Sequence, residues 1–116
     1  MPHKIYVIIC FLLLSGCSST PYKKADLSMY AGRTGYLEKE ISPQKYILEY
    51  SHIGGYDYDL NKNIGFWEKR ALELCPNGYS GEHNVVHPAY AKIEEFVCPQ
   101  RFCGEYPLVT GIVECN

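Results

Sequence analysis

The sequence predicts an α+β fold, a small antiparallel sheet of three to four strands packed on one helix and held by two disulfides. Three observations predict it. Apolar residues alternate in short stretches around Tyr46–Tyr50 and again in the last third of the chain, which is strand periodicity. A single stretch between Ile64 and Leu74 repeats at helical spacing. Four cysteines fall within or after that helix, and a domain of about 80 residues with one helix buries so little apolar surface that covalent staples are expected.

Taken in order, the first strand is expected where Tyr46, Leu48 and Tyr50 alternate with Lys45, Ile47, Glu49 and Ser51, and Gly54-Gly55 ends it. Ile64, Trp67, Ala71 and Leu74 then form the inward line of a helix, with Lys69, Arg70 and Glu73 off that line. Ala71 is small enough at mid-helix for a close approach to a sheet. Pro76-Asn77-Gly78 stops the helix, because proline cannot continue it and glycine accepts a left-handed cap. Two later runs, A-Y-A-K-I-E-E-F-V-C from Ala89 and P-L-V-T-G-I-V-E-C from Pro107, alternate and are expected as further strands. The loop between them carries Cys98 and Cys103.

Residues 1–16 have the character of an export signal. A basic start, M-P-H-K, precedes ten apolar residues from Ile5 to Leu14, about half the run that a membrane-spanning helix requires. Leu14-Ser15-Gly16-Cys17 follows and resembles the lipobox of bacterial lipoproteins, in which the cysteine thiolate takes a diacylglyceryl group and becomes the first mature residue. That resemblance implies a membrane partner reached through lipid on Cys17, since more than one acyl chain gives stable anchoring. Ser18 stands where an aspartate would resemble an inner-membrane retention signal, so the expected address is the outer membrane facing the periplasm. Ser18 to Gly35 mixes polar residues with Pro21, Gly32 and Gly35, and is expected to be a flexible tether holding the domain roughly 20 to 25 Å from the bilayer. The expected organisation is therefore signal 1–16, lipidated tether 17–35 and a single domain 36–116.

Composition narrows the partners. Formal net charge is −2, and loss of Lys4 with the signal takes it to −3, which carries no nucleic-acid footprint. Ten of the eleven tyrosines lie beyond the signal and supply apolar area with a polar tip. Of six cysteines, Cys10 leaves with the signal and Cys17 is lipidated, so Cys75, Cys98, Cys103 and Cys115 remain as an even set in an oxidising compartment. Three pairings are open. Cys75 with Cys115 and Cys98 with Cys103 is favoured, because it pins the end of the helix to the last strand. Zinc is disfavoured, as Cys98-x4-Cys103 lacks a second close pair.

Gly35-Tyr36, the strand Y-I-L-E-Y at Tyr46 to Tyr50 and K-R-A-L-E-L-C-P-N-G-Y at Lys69 to Tyr79 together resemble a group of small bacterial envelope lipoproteins. Their pattern is a G-Y start, a Y-x-V-x-F strand, a helix centred on R-A-x-E and a G-Y exit. The likeness covers residues 32–80 and implies a strand-helix-strand domain in the envelope, without an activity.

Chemistry-bearing patterns are few. D-Y-D-L-N-K-N-I-G-F-W-E, Asp57 to Glu68, matches a calcium loop at Asp57, Asp59, Asn61 and Glu68, yet carries Lys62 where such a loop needs glycine. The same letters read as a polar lead-in to the helix, with Asn61 or Asn63 as cap. His83-x3-His87 has the spacing of two ligands on a helix face, in a stretch full of helix breakers. No G-x-S-x-G occurs, and none of the thirteen acids stands out as a catalytic pair. No cofactor and no catalytic residue are expected. The favoured reading is a lipid-anchored, non-enzymatic envelope protein with a structural or interaction role and an envelope protein partner. Its alternatives are a calcium- or ligand-binding module on residues 57–68 and a periplasmic inhibitor or immunity lipoprotein presenting Tyr56, Tyr58 and Trp67.

Overall fold

The computed structural model describes residues 21–27 and 34–116, so the expected signal and Cys17 lie outside the described residues. The elements are β1 (Thr34–Ser42), β2 (Lys45–His52), α1 (Leu60–Leu74), β3 (Tyr79–Ser80), β4 (Asn84–Val86) and β5 (Leu108–Cys115). Three 3-10 turns, Pro88–Tyr90, Glu94–Phe96 and Arg101–Glu105, lie between β4 and β5. The strands form one antiparallel sheet of five in the order β1-β2-β5-β3, with β4 also paired to β5. One helix packs on it and two disulfides close it, as the sequence predicts, with one strand more than expected.

The extra strands have a simple origin. β1, directly before the Pro43-Gln44 turn, pairs with β2 along its length, placing Tyr36 opposite Tyr50 and Lys39 opposite Ile47. β3 and β4 are two pieces of one edge strand: Ser80 faces Glu114 and Asn84 faces Thr110, a four-residue step on both sides, so the register continues through the interruption at 81–83.

Helix α1 covers one face of the sheet. Trp67, Ala71 and Cys75 meet Leu48, Tyr50, Val109 and Val113, all essentially inaccessible to solvent. Close approach depends on small residues, Ala71 on the helix and Gly111 on β5, where a Cβ would stand 2.8 Å from Trp67 Cζ2 and 2.5 Å from the Glu82 carbonyl oxygen. The Trp67 indole N–H donates to the Leu48 carbonyl at 2.8 Å, which satisfies the one polar atom the ring carries into the core.

The opposite face is covered too, and here the sequence expectation is corrected. The run from Ala89 to Cys98 is not a strand: it forms two of the 3-10 turns, and Ile93 and Phe96, three residues apart as 3-10 geometry requires, pack with Leu108, Ala25 and Ile47. Pro88 opens the segment, and its carbonyl receives the Cys98 N–H at 3.2 Å, folding the run back on itself. The sheet is therefore the middle of three layers, and the favoured cysteine pairing holds the outer two. Cys75 and Cys115, with Cα atoms 5.0 Å apart, join the helix end to β5, while Cys98 and Cys103, 6.2 Å apart, close the 3-10 layer.

A second correction concerns the tether. Pro21–Leu27 is no free linker. The Tyr36 N–H donates to the Lys23 carbonyl at 2.9 Å and the Ala25 N–H to the Tyr36 carbonyl at 3.0 Å, so this strap pairs with the outer edge of β1. Ala25 is buried beside Ile93 and Phe96, and the Tyr50 hydroxyl donates to the Pro21 carbonyl at 2.7 Å. Composition signalled flexibility because the segment has no periodicity of its own; its order is borrowed from β1.

Candidate functional site

The loop from Ile53 to Asp59 joins β2 to α1 and is the most exposed aromatic feature among the described residues. Gly54 and Gly55 adopt φ of 92° and 91°, conformations that side-chain-bearing residues disfavour, and they turn the chain outward. Tyr56 follows at the apex, fully exposed. The base of the loop is fixed from three sides. The Tyr58 hydroxyl donates to the Pro107 carbonyl at 2.7 Å, its ring meets Tyr106 edge-on at 5.5 Å, and His52 lies 6.2 Å away. Burial raises the Tyr58 phenol above its ordinary pKa, so it stays a donor at neutral pH. His52, itself buried, approaches Asp57 with Nε2 to Oδ1 at 3.4 Å, and Asp59 Oδ1 accepts the Lys62 N–H at 3.2 Å as the N-cap of α1.

This geometry settles where the calcium-pattern residues go. Asp59 rather than Asn61 or Asn63 caps the helix, and Asn61, Lys62, Asn63 and Glu68 are all wound into α1. Asn61 and Glu68 are separated by seven residues, a rise of about 10 Å along the axis, whereas calcium ligands lie about 2.4 Å from one ion. Asp57 is held at His52 outside the helix. Among the described residues no three His, Cys, Asp or Glu side chains are placed to hold a metal ion. Lys62 occupies an ordinary right-handed position, so the residue that breaks the loop pattern is at home in the helix.

Of the three aromatic residues expected on an inhibitory surface, the structure leaves only Tyr56 free for a partner. Trp67 is core and Tyr58 is committed to Pro107. His83 and His87 flank β4 instead of sharing a helix face; four residues of extended chain separate them by about 13 Å. The His83 ring lies 5.8 Å from that of Trp67 at a tilt of 59°, and His87 Nδ1 accepts the Ala89 N–H at 2.9 Å, capping a 3-10 turn. Ser51 is buried on the sheet face opposite His52, so neighbours in sequence are not a nucleophile and its base.

The R-A-x-E pattern has a structural task that its letters conceal. Arg70 bonds Glu38 Oε1 at 2.6 Å and Glu73 Oε1 at 3.4 Å while lying 4.4 Å over the Tyr36 ring. Glu73 in turn receives the Tyr22 hydroxyl, and Lys69 Nζ stands 4.3 Å over the Tyr22 ring. The Tyr22 bond and Arg70 hold the Glu73 carboxyl below the ordinary carboxylate range. One turn of helix thus fastens both β1 and the N-terminal strap.

Sequence reasoning also missed Glu49. Its side chain lies on the polar partner face of the β2 alternation, yet it is fully buried, because the 3-10 layer covers that face. Its carboxyl oxygens accept the Lys92 N–H at 2.9 Å, the Ile93 N–H at 2.8 Å and the Thr110 hydroxyl at 2.6 Å. No local signal points to it, since all three donors lie more than 40 residues away. Comparison with protein-family models, with curated proteins and with solved structures finds no match.

Proposed function

We propose that this is a lipid-anchored, non-enzymatic protein of the bacterial envelope that binds a protein partner through the Tyr56 loop. The anchor reading is supported by the Leu14-Ser15-Gly16-Cys17 tetrad behind a short apolar core, and it implies the outer membrane facing the periplasm. The likeness of residues 32–80 to small envelope lipoproteins points the same way.

One observation carries the interaction reading: a fully exposed tyrosine on a two-glycine turn whose base is pinned by Tyr58, Tyr106 and Asp59. An exposed ring of this kind gains much from burial and loses little side-chain freedom, which is why tyrosine is enriched among binding hot spots. A convex aromatic tip beside the exposed Asp57 also fits a cleft, and this favours an inhibitor of an envelope enzyme as the second reading.

A photo-crosslinking residue placed at Tyr56 in living cells tests both. Capture of one envelope protein from position 56, absent from the exposed position Ile41 at the opposite end of the β1–β2 hairpin, supports the partner reading, and an envelope hydrolase as the captured protein selects the inhibitor. Tyr56→Ala should abolish the complex while changing stability by less than about 0.5 kcal/mol. A Tyr56→Ala protein that keeps its partner overturns the assignment of the tip. Cys17→Ser followed by fractionation tests the anchor, with release from the membrane as the expected outcome.

A further inference from the structure

The docked strap changes how far the domain stands from the bilayer. Resting on the lipid-anchor reading above, we propose that the face around Pro21–Lys24 lies directly against the membrane surface, with anionic lipid headgroups as its partner.

Chain length makes the first part of the case. If mobility ran to Gly35, the leash would span eighteen residues from Cys17. The strap ends it at Pro21, four residue steps from Cys17, and even fully extended chain covers no more than about 14 Å in that interval. Pro21 is held by the Tyr50 hydroxyl, the Tyr22 ring rests 5.4 Å from Tyr36 and 5.5 Å from Phe66, and Lys23 and Ala25 pair with Tyr36. A compact domain of this size is about 30 Å across. The far side therefore cannot reach the surface, and Pro21 can stand no more than about 14 Å from the lipid-bearing residue.

Charge makes the second part. Lys23 and Lys24 are exposed beside the point where the leash begins, in a chain whose formal net charge is −2. Lys69 lies over Tyr22 in the same patch. Its acids are Glu73, occupied by Tyr22 and Arg70, and Asp26; Leu27 adds exposed apolar surface next to them. A basic, partly apolar strip at the end of a short lipid leash is complementary to a negatively charged headgroup layer.

The test uses the full lipidated protein on vesicles of phosphatidylethanolamine and phosphatidylglycerol, with flotation first establishing that it is bound. Lysine acetylation rates read by mass spectrometry are compared with those of a lipidated variant carrying about 16 Gly/Ser residues between Ser19 and Thr20, a spacer reaching roughly 20 Å. Lys23 and Lys24 should react several-fold more slowly with native spacing, while Lys39 and Lys45 react equally in both. Equal rates at Lys23 and Lys24 in a vesicle-bound protein overturn the apposed face and leave the anchor intact. Failure to float overturns the anchor reading and this inference with it.

Discussion

At the scale of single residues, Glu49 carries the clearest expectation. Removing its carboxyl in Glu49→Ala leaves two backbone N–H groups and the Thr110 hydroxyl buried without an acceptor, and the loss should be about 3 kcal/mol or more by urea unfolding. Thr110→Val removes one donor only and should cost about 1 to 2 kcal/mol. Equal, small effects of both would mean that water reaches the site. Glu49 also shows what residue-by-residue reading can see. Alternation in β2 separates two faces correctly, but whether the second face meets solvent depends on residues 88–106, far along the chain. Tyr58 and Trp67 were equally opaque as surface candidates, because their polar atoms find carbonyls at Pro107 and Leu48 that lie close only in the folded molecule.

Elements were legible where their own pattern decides them. The Ile64-Trp67-Ala71-Leu74 line holds in α1, and the alternation in β2 and β5 holds because both strands cross the middle of the sheet. The Ala89–Cys98 run differs for a physical reason: a short apolar stretch satisfies strand alternation and 3-10 spacing alike, and here Ile93 and Phe96, three apart, are buried together against the sheet face at Leu108 and Ile47. β1 was missed because T-G-Y-L-E-K-E-I-S has little alternation and takes its order from β2. The two disulfides give this scale its prediction. Loss of Cys75–Cys115, which closes a sequence separation of 40, should cost about 4 kcal/mol, and loss of Cys98–Cys103, separation 5, about 2 kcal/mol. Thermal unfolding of the paired Cys→Ser variants measures both. Hydrogen exchange near Ile93 and Phe96 should quicken more than in the rest of the domain when the second is removed, and a uniform change would contradict its local role.

For the whole molecule, the strap is tied to the helix by the bond from Tyr22 to Glu73, 51 residues away. Because Tyr22 and Arg70 lower the Glu73 pKa in the folded state, the ionised carboxyl favours docking. That contribution is complete above the ordinary carboxylate pKa and fades as pH falls through the lowered folded value. In carbon-detected NMR, Glu73 should titrate below a free glutamate and shift back towards it in Tyr22→Phe. An unchanged titration in that variant would separate the strap from the helix.

The same strap has a consequence for how copies of the protein coexist when crowded on a surface. A sheet offers unpaired backbone at its two outermost strands, and such rims recruit strands from neighbouring molecules. Here Lys23 and Ala25 occupy the β1 rim at Tyr36, and the remainder of that strand bristles with Glu38, Lys39 and Glu40. The other rim is cut into pieces of two and three residues by the break at 81–83. Neither rim presents an uninterrupted, uncharged run on which a foreign strand can settle, so the fold guards itself against self-association by the way its strands end.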